Sequence, residues 1–90
     1  GEPKALLMVL ETSGSTPVKS GAMMAVERGL KTVGTIGGGC SEHAVLMEAH
    51  RLIGTDQCRC IQVDMRNDVA EEEGMVCGGQ MKVWIQGIGG

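Results

Sequence analysis

The sequence predicts a small α+β domain in which one mixed sheet of four to five strands packs with one principal helix and a possible short second helix. Short segments rich in apolar and β-branched residues recur along the chain, whereas a single longer stretch repeats its apolar residues at helical spacing. The chain has 90 residues, the size of one domain, and such a chain buries roughly 60–65% of its unfolded surface. We therefore expect residues 1–90 to form a single domain.

Three strands are predicted in the first half of the chain. Residues 5–10 form a continuous apolar run, ALLMVL, which is typical of a strand buried on both faces. Residues 22–27 and 31–36 also have strand-like composition. Because only Arg28, Gly29 and one further residue separate these two segments, they are predicted to form an antiparallel hairpin.

The second half begins with the principal helix, predicted from about Ser41 to Ile53. Alternation predicts a fourth strand over 58–65, and a right-handed parallel crossover is compatible with this strand-helix-strand unit. Acidic residues at capping-box spacing predict a short helix over 69–73. A final strand is predicted over 80–86, and Gly87–Gly90 are expected to be a linker or a chain end.

Composition excludes several classes of function. The formal net charge is −3, the isoelectric point is near 5.2, and Trp84 is the only aromatic residue, so a nucleic-acid surface is not expected. No apolar run approaches the roughly 20 residues that span a bilayer, so no membrane association is expected. The four cysteines lack the regular spacing of a disulfide scaffold, which favours the reducing cytoplasm.

The candidate site centres on Gly37, Gly38, Gly39 and Cys40, between the end of a predicted strand and the start of the principal helix. Glycines let a ligand approach the backbone closely, and a helix N-terminus favours negative charge. A thiol at that position tends to have a lowered pKa. The pattern therefore fits a loop that binds an anion or a metal. It fits a tightly packed turn with a buried cysteine equally well.

A second candidate segment is the long stretch 11–21, ETSGSTPVKSG, which contains only loop-forming residues after its first position. Loops of this length in small domains are often functional. The hydroxyls of Ser15 and Thr16 and the ammonium of Lys19 could contact an anionic ligand. A solvated connection with no such role is the alternative.

The remaining cysteines fall into two groups. Cys77 and Gly78 form a second cysteine-glycine segment near the end of the chain. Cys58 and Cys60 alternate with other residues of the fourth strand and would share one face, where binding of a metal is the less favoured interpretation. A zinc site is not expected, because no second Cys/His pair of matching spacing follows Cys40.

Three motifs in the same order resemble those of the XdhC/CoxI family: ETSGSTPxKxG, GTIGGGCxE and EEGMxCGG. The family comprises accessory proteins that mature molybdenum hydroxylases such as xanthine dehydrogenase and carbon monoxide dehydrogenase. The resemblance covers residues from about 5 to 85. Val18 stands where family members often have arginine. Full-length members usually add a preceding helix and a C-terminal Rossmann-like domain, so the chain would be a single-domain member or an N-terminal domain.

The resemblance implies a non-enzymatic chaperone that binds the molybdenum cofactor, in its molybdopterin or dinucleotide form, as cargo. The partners it implies are an apo molybdenum hydroxylase and, further, the enzymes that sulfurate the cofactor or transfer a nucleotide to it, with a homo-oligomer as a possible assembly. The implied cofactor-binding residues are Gly37, Gly38, Gly39, Cys40, Cys77, Gly78, Ser15, Thr16 and Lys19. The two motif cysteines, Cys40 and Cys77, are the candidates for contact with molybdenum.

We further expect Cys40 to be the more acidic thiol, since it alone has a predicted helix N-terminus beside it. If the third and final strands are near one another in the sheet, the loops of Cys40 and Cys77 would open on the same edge. Two alternatives stay open: a thiol redox module that uses this cysteine pair, and a non-catalytic interaction domain.

Overall fold

A computed structural model of the chain describes residues 2–14, 19–29, 31–34, 42–64, 68–70, 75–77 and 79–89; for 42–44, 68–70 and 75–77 only the backbone is described. The elements are β1 (Lys4–Ser13), β2 (Met23–Glu27), β3 (Lys31–Gly34), α1 (Glu42–Leu52), β4 (Cys58–Asp64), β5 (Asp68–Ala70), β6 (Met75–Cys77) and β7 (Gln80–Ile88).

Five of these strands form one sheet in the order β3-β2-β1-β7-β4. Each pair of neighbours in the sheet is antiparallel. The last strand therefore lies in the middle of the sheet, beside the first. The short strands β5 and β6 pair with each other in a separate antiparallel ribbon.

The core lies between α1 and one face of the sheet. Alternate residues of the strands point to that face, as the pleat requires, and three helical residues at i, i+4 and i+7 cover them. The fully or nearly fully buried side chains are Ala5, Leu7, Val9, Met24, Val26, Val45, Ala49, Leu52, Val63, Met81, Val83 and Ile85. Burial of this apolar set is the main stabilising contribution to the domain.

The opposite face of the sheet, which we call the open face, carries no helix among the described residues. It presents the side chains of Leu6, Met8, Ala25, Gln62, Gln80, Lys82 and Trp84, which are half-buried or exposed, together with the exposed Cys58 and Cys60. The predicted burial of the first strand on both faces is therefore wrong. Leu6 and Met8 remain half-buried because only the face of Ala5, Leu7 and Val9 is covered by α1.

Several predictions are confirmed. The hairpin of β2 and β3, the principal helix, the fourth strand and the alternation of β7 all lie within a few residues of the predicted positions. Cys58 and Cys60 share one face of β4, since they pair with Gln86 and Trp84 of β7. The sheet has the predicted number of strands.

The mixed sheet is a wrong prediction. β3 and β4, on either side of α1, run in the same direction, but they occupy opposite edges of the sheet with β2, β1 and β7 between them. No parallel pair is formed among the described strands. The first strand, the second strand and the last strand of the chain separate β3 from β4.

Two further predictions are corrected in the C-terminal part. The short helix expected over 69–73 is not found where the structure describes this segment, because residues 68–70 form β5 and pair with β6. Gly87 and Ile88 are not a linker: they continue β7, pair with Ala5 and Lys4, and Gly87 is buried.

Among the described residues, no helix has the length and hydropathy needed to cross a membrane.

Candidate functional site

The three motif segments leave the sheet at the same end, which we call the motif end. β1 ends there at Ser13, β3 ends there at Gly34, and β7 begins there at Gln80, because antiparallel neighbours alternate in direction. The direction of α1 relative to the motif end can be read from the end of the helix. Leu52 lies against Gly87 at the opposite end of the sheet, so α1, about 16 Å long at 1.5 Å per residue, begins toward the motif end.

Two glycines bring the first and third motifs into direct backbone contact at the motif end. Gly14 has φ of 78° and Gly79 has φ of 89°, both in the left-handed region that favours glycine. A Cβ on Gly14 would lie 2.7 Å from the Gly79 Cα, and a Cβ on Gly79 would collide with the Ser13 carbonyl oxygen. Only glycine fits at this contact, and both motifs are fixed to each other by it.

The second motif begins at the end of β3, three strands away from β7 in the sheet. β3 and β7 are separated by β2 and β1, so the condition that the third and final strands lie near one another is not met. At the usual spacing between strands, Gly34 and Gln80 lie on strands about 14 Å apart. Both strand ends nevertheless lie at the motif end, and the approach of the Cys40 and Cys77 loops stays a prediction.

Two predicted site residues fall within the described part of the chain. Lys19 is exposed, and the segment that follows it is tied to β1: the amide of Gly21 donates to the Val9 carbonyl at 2.7 Å, and the amide of Val9 donates to the Ala22 carbonyl at 2.9 Å. Cys77 is the last residue of β6, opposite Asp68, and its side chain is outside the description.

The other predicted site residues lie outside the described residues: Ser15, Thr16, Gly37, Gly38, Gly39, Cys40 and Gly78. Ser15 and Thr16 directly follow the described Gly14, and Gly78 directly precedes the described Gly79. Those positions therefore flank the glycine contact in sequence, and the roles expected of all seven residues stay predictions.

A cleft that sequence reasoning missed opens beside the glycine contact. Its volume is about 140 Å³, and its lining is formed by Glu11, Thr12, Ser13, Gln62, Gln80, Met81 and Lys82. Gln62 Nε2 donates to Gln80 Oε1 at 3.0 Å, and Lys82 Nζ lies 3.7 Å from Glu11 Oε2. The alternation of β4 and β7 places Gln62 and Lys82 each on a polar face, but it does not reveal that these strands are neighbours.

An apolar groove of about 290 Å³ lies farther along the open face, between β1, β2 and β3. It is lined by Leu6, Met23, Met24, Ala25, Val33 and Gly34. The side chains of Met23 and Val33 are 57% and 62% exposed, so the groove is shallow. It borders the point at which β3 ends and the second motif continues.

Cys58 and Cys60 are free, exposed thiols on the open face of the edge strand β4. In the described part of the chain, no three His, Cys, Asp or Glu side chains are grouped so that they could hold a metal ion. These two cysteines are therefore a pair of accessible thiols without further ligands among the described side chains.

Comparison with known proteins gives a consistent result. The model of a family described as "XdhC and CoxI family" matches residues 1–64. YqeB of Escherichia coli (strain K12), an uncharacterized protein, is 36% identical to this chain over 83 residues, which are 92% of this chain and 15% of YqeB.

The fold is also found in a solved structure. A crystal structure described as a xanthine dehydrogenase from Bacillus halodurans superposes with a TM-score of 0.76 and 23% sequence identity, over 96% of this chain and 26% of that chain. At this identity the likeness shows the fold alone. The chain thus spans about a quarter or less of the length of these two relatives.

Proposed function

Since the chain belongs to the XdhC and CoxI family, we propose that it binds the molybdenum cofactor as cargo and assists its insertion into an apo molybdenum hydroxylase. It acts as an accessory domain in the cytoplasm and not as an enzyme. Xanthine dehydrogenase is the first client to test, because the structural relative is described by that name.

The observation that supports this proposal most directly is the backbone contact of Gly14 with Gly79 at the motif end. It fixes the segment before Ser15 and Thr16 to the segment after Cys77 and Gly78. The second motif begins at the same end of the sheet. Three segments that are distant in sequence are therefore available to one ligand.

The chemistry of the proposed residues suits the two ends of the cargo. Backbone N–H groups of Gly37, Gly38 and Gly39, with the start of α1, would bind a phosphate, and Lys19 would add a positive charge. The cofactor also contains molybdenum coordinated by sulfur, and soft thiolates are suitable groups to meet such a centre. Cys40 contacts or protects the metal in this proposal, and Cys77 assists.

Delivery requires further partners. The apo hydroxylase receives the cofactor, and enzymes that sulfurate it or transfer a nucleotide to it would act on the bound form. Because the chain spans 15% of YqeB and 26% of the solved relative, delivery by the whole protein is a proposal that extends beyond this domain. Association of two copies of the chain is compatible with this proposal.

The test is retention of cofactor by the chain purified without air from cells that produce the cofactor. We expect molybdenum and pterin in equal amounts on the wild-type chain, and at least about ten-fold less on Cys40→Ser, with a smaller loss on Cys77→Ser. Cys58→Ser and Cys60→Ser are matched controls, because these thiols are exposed on the edge strand, and they should retain wild-type amounts.

Two results would contradict the proposal. A wild-type chain that holds neither molybdenum nor pterin, but whose Cys40 and Cys77 titrate as one dithiol/disulfide pair, would be a redox module. The second result is a Cys40 thiol that does not react with alkylating reagents between about pH 6 and 9. Such a thiol would be buried, without a lowered pKa, and the proposed contact between Cys40 and the cargo would be wrong.

A further inference from the structure

The polar cleft on the open face is formed by side chains from three neighbouring strands. In the sheet register, Glu11 and Ser13 of β1 lie opposite Lys82 and Gln80 of β7, and Gln62 of β4 lies opposite Lys82 on the other side. These five residues line the cleft together with Thr12 and Met81. The cleft is therefore built on the central strands of the sheet and not on a loop.

The two glutamines are hydrogen-bonded to each other within this cleft. Gln62 Nε2 donates to Gln80 Oε1 at 3.0 Å. Among the described residues, this bond leaves Oε1 of Gln62 as an acceptor and Nε2 of Gln80 as a donor. Because each amide already holds the other, less side-chain entropy is lost when a ligand binds to the pair.

Lys82 adds positive charge on the same wall. Its Nζ lies 3.7 Å from Glu11 Oε2, and the side chains of Lys82 and Glu11 are 44% and 73% exposed. Such an exposed ion pair is weak, and an ammonium group has three donors. Lys82 can therefore donate to a ligand oxygen next to the donor of Gln80, whereas it would oppose an amino group at that place.

We propose that this cleft binds a flat heterocycle through an amino-oxo-pyrimidine edge, in which one ring N–H stands between an exocyclic amino group and a carbonyl oxygen. Gln62 accepts from the ring N–H, and Gln80 and Lys82 donate to the carbonyl. This inference rests on the proposed function, because the pterin of the molybdenum cofactor and the guanine of a dinucleotide form both present that edge. A volume of about 140 Å³ suits one part of a ligand, since sites for whole ligands measure about 300–1,000 Å³.

The position of the cleft agrees with this assignment. It lies beside the Gly14–Gly79 contact, on the open face, whereas the start of α1 lies on the helix side of the motif end. The heterocycle and the phosphate of one ligand are several bonds apart, so they can occupy the two sides of this end. The cleft would thus take one part of the cargo and leave the phosphate to the residues named in the proposed function.

The test uses the cofactor-free chain and three probes: 6-hydroxymethylpterin, guanosine monophosphate and adenosine monophosphate. Trp84 reports nucleotide binding by its fluorescence, because it is the only aromatic residue and lies two residues after Lys82 on the same face of β7. Fluorescence anisotropy of the pterin reports pterin binding. We expect pterin or guanosine monophosphate to bind at least about ten-fold more tightly than adenosine monophosphate, the magnitude of a well-placed polar contact.

The variants are Gln62→Leu, Gln80→Leu and Lys82→Met, with Gln86→Leu as the matched control. Gln86 lies on the same face of β7 but pairs with Leu6 and Cys58, away from the motif end. We expect the glutamine variants to lose at least about ten-fold in affinity for the bound probe, and Lys82→Met to reduce the preference over adenosine monophosphate. The control should stay within about two-fold in affinity, because Gln86 does not line the cleft and its Nε2 donates to the carbonyls of Asp56, Gln57 and Gly87 at the opposite end of the sheet.

The outcomes separate this inference from the proposed function. Binding of pterin alone, or of guanosine monophosphate alone, with dependence on both glutamines supports the cleft and identifies which part of the cargo it takes. Binding of neither probe overturns the inference. If the wild-type chain retains cofactor and the glutamine variants retain it equally, the cleft proposal fails and the proposed function stands. If glutamine-dependent binding is found on a chain that retains no cofactor, the cleft stands and the proposed function fails.

Discussion

At the scale of single residues, Gly14 and Gly79 determine the geometry of the motif end. Each has a positive φ, and the backbone of one occupies the space that a side chain would need on the other. Glycine here is required by packing as well as by conformation. The contact between Gly14 and Gly79 therefore stabilises the fold and also holds together two of the segments that we propose for the cargo.

Gly79→Ala should destabilise the domain strongly, because the added Cβ would collide with the Ser13 carbonyl oxygen in addition to occupying a left-handed conformation. We expect a loss of about 2–5 kcal/mol in the free energy of unfolding, the sum of about 1–2 kcal/mol for the conformational penalty and about 1–3 kcal/mol for the overpacking. Urea unfolding followed by the fluorescence of Trp84 measures this quantity.

The matched control for that experiment is Gly21→Ala. Gly21 has a similar φ of 88°, but a Cβ there would have no neighbour within 4 Å. It should lose only the conformational penalty of about 1–2 kcal/mol. Equal losses for the two variants would show that Gly14 and Gly79 are not held in contact.

The sequence shows that the motif glycines are special, but it does not distinguish a glycine needed for ligand binding from one needed for backbone packing. The segment at Cys77 and Gly78 was predicted to bind a ligand, and the adjoining Gly79 is occupied by a backbone contact with a distant segment. Such a contact depends on which strands become neighbours. No local pattern contains that information, which is why the Gln62–Gln80 pair was also missed.

At the scale of elements, the end of α1 packs tightly on β7. Gly87 is buried, and its Cα faces the carbonyl of Leu52 and the carbonyl and hydroxyl oxygens of Thr55. The amide of Gly87 donates to the Gln57 carbonyl at 2.8 Å. A strand without a side chain at this point lets the turn after the helix approach the sheet.

Gly87→Ala should therefore reduce stability, since its Cβ would collide with the Leu52 carbonyl and lie 2.7 Å from the Thr55 carbonyl. The expected loss is about 1–3 kcal/mol, the usual effect of overpacking. Gly89→Ala is the control: its Cβ would be 3.3 Å from the end of the Asp56 side chain, which can move, so a change within about 0.5 kcal/mol is expected. Thermal or urea unfolding of both variants decides whether residues 87–88 belong to the sheet.

Periodicity predicts the type of most elements because side-chain burial has a period of 2 in strands and 3.6 in helices. It predicts α1 to within about two residues and the faces of β7 correctly. It fails for the segment at 69–73, where capping-box spacing competes with pairing. Val69 pairs with Val76 in the ribbon, and a helix of five residues would not offset the unfavourable free energy of its nucleation.

At the scale of the whole molecule, the two ends of the chain form the centre of the sheet. β1 and β7 are each paired on both sides, whereas β3 and β4 are edge strands. The sequence does not predict this order, because alternation assigns faces to a strand but not neighbours. The predicted parallel crossover failed for this reason: the strand that follows α1 paired with β7 and not with the strand that precedes α1.

This arrangement predicts a gradient of stability across the sheet, which native-state hydrogen exchange measured by NMR can test. Hydrogen-bonded amides of β1 and β7 should exchange only through global unfolding, because both strands lie under α1 and are paired on both sides. Those of β3, whose four residues are all exposed, should exchange at least about ten-fold faster through local opening. β4 should be intermediate, since it is an edge strand but Val63 is buried in the core and Ile61 packs against it. If β3 were as protected as β7, the edge would be covered, and the second motif would start from a rigid strand instead of a readily opened one.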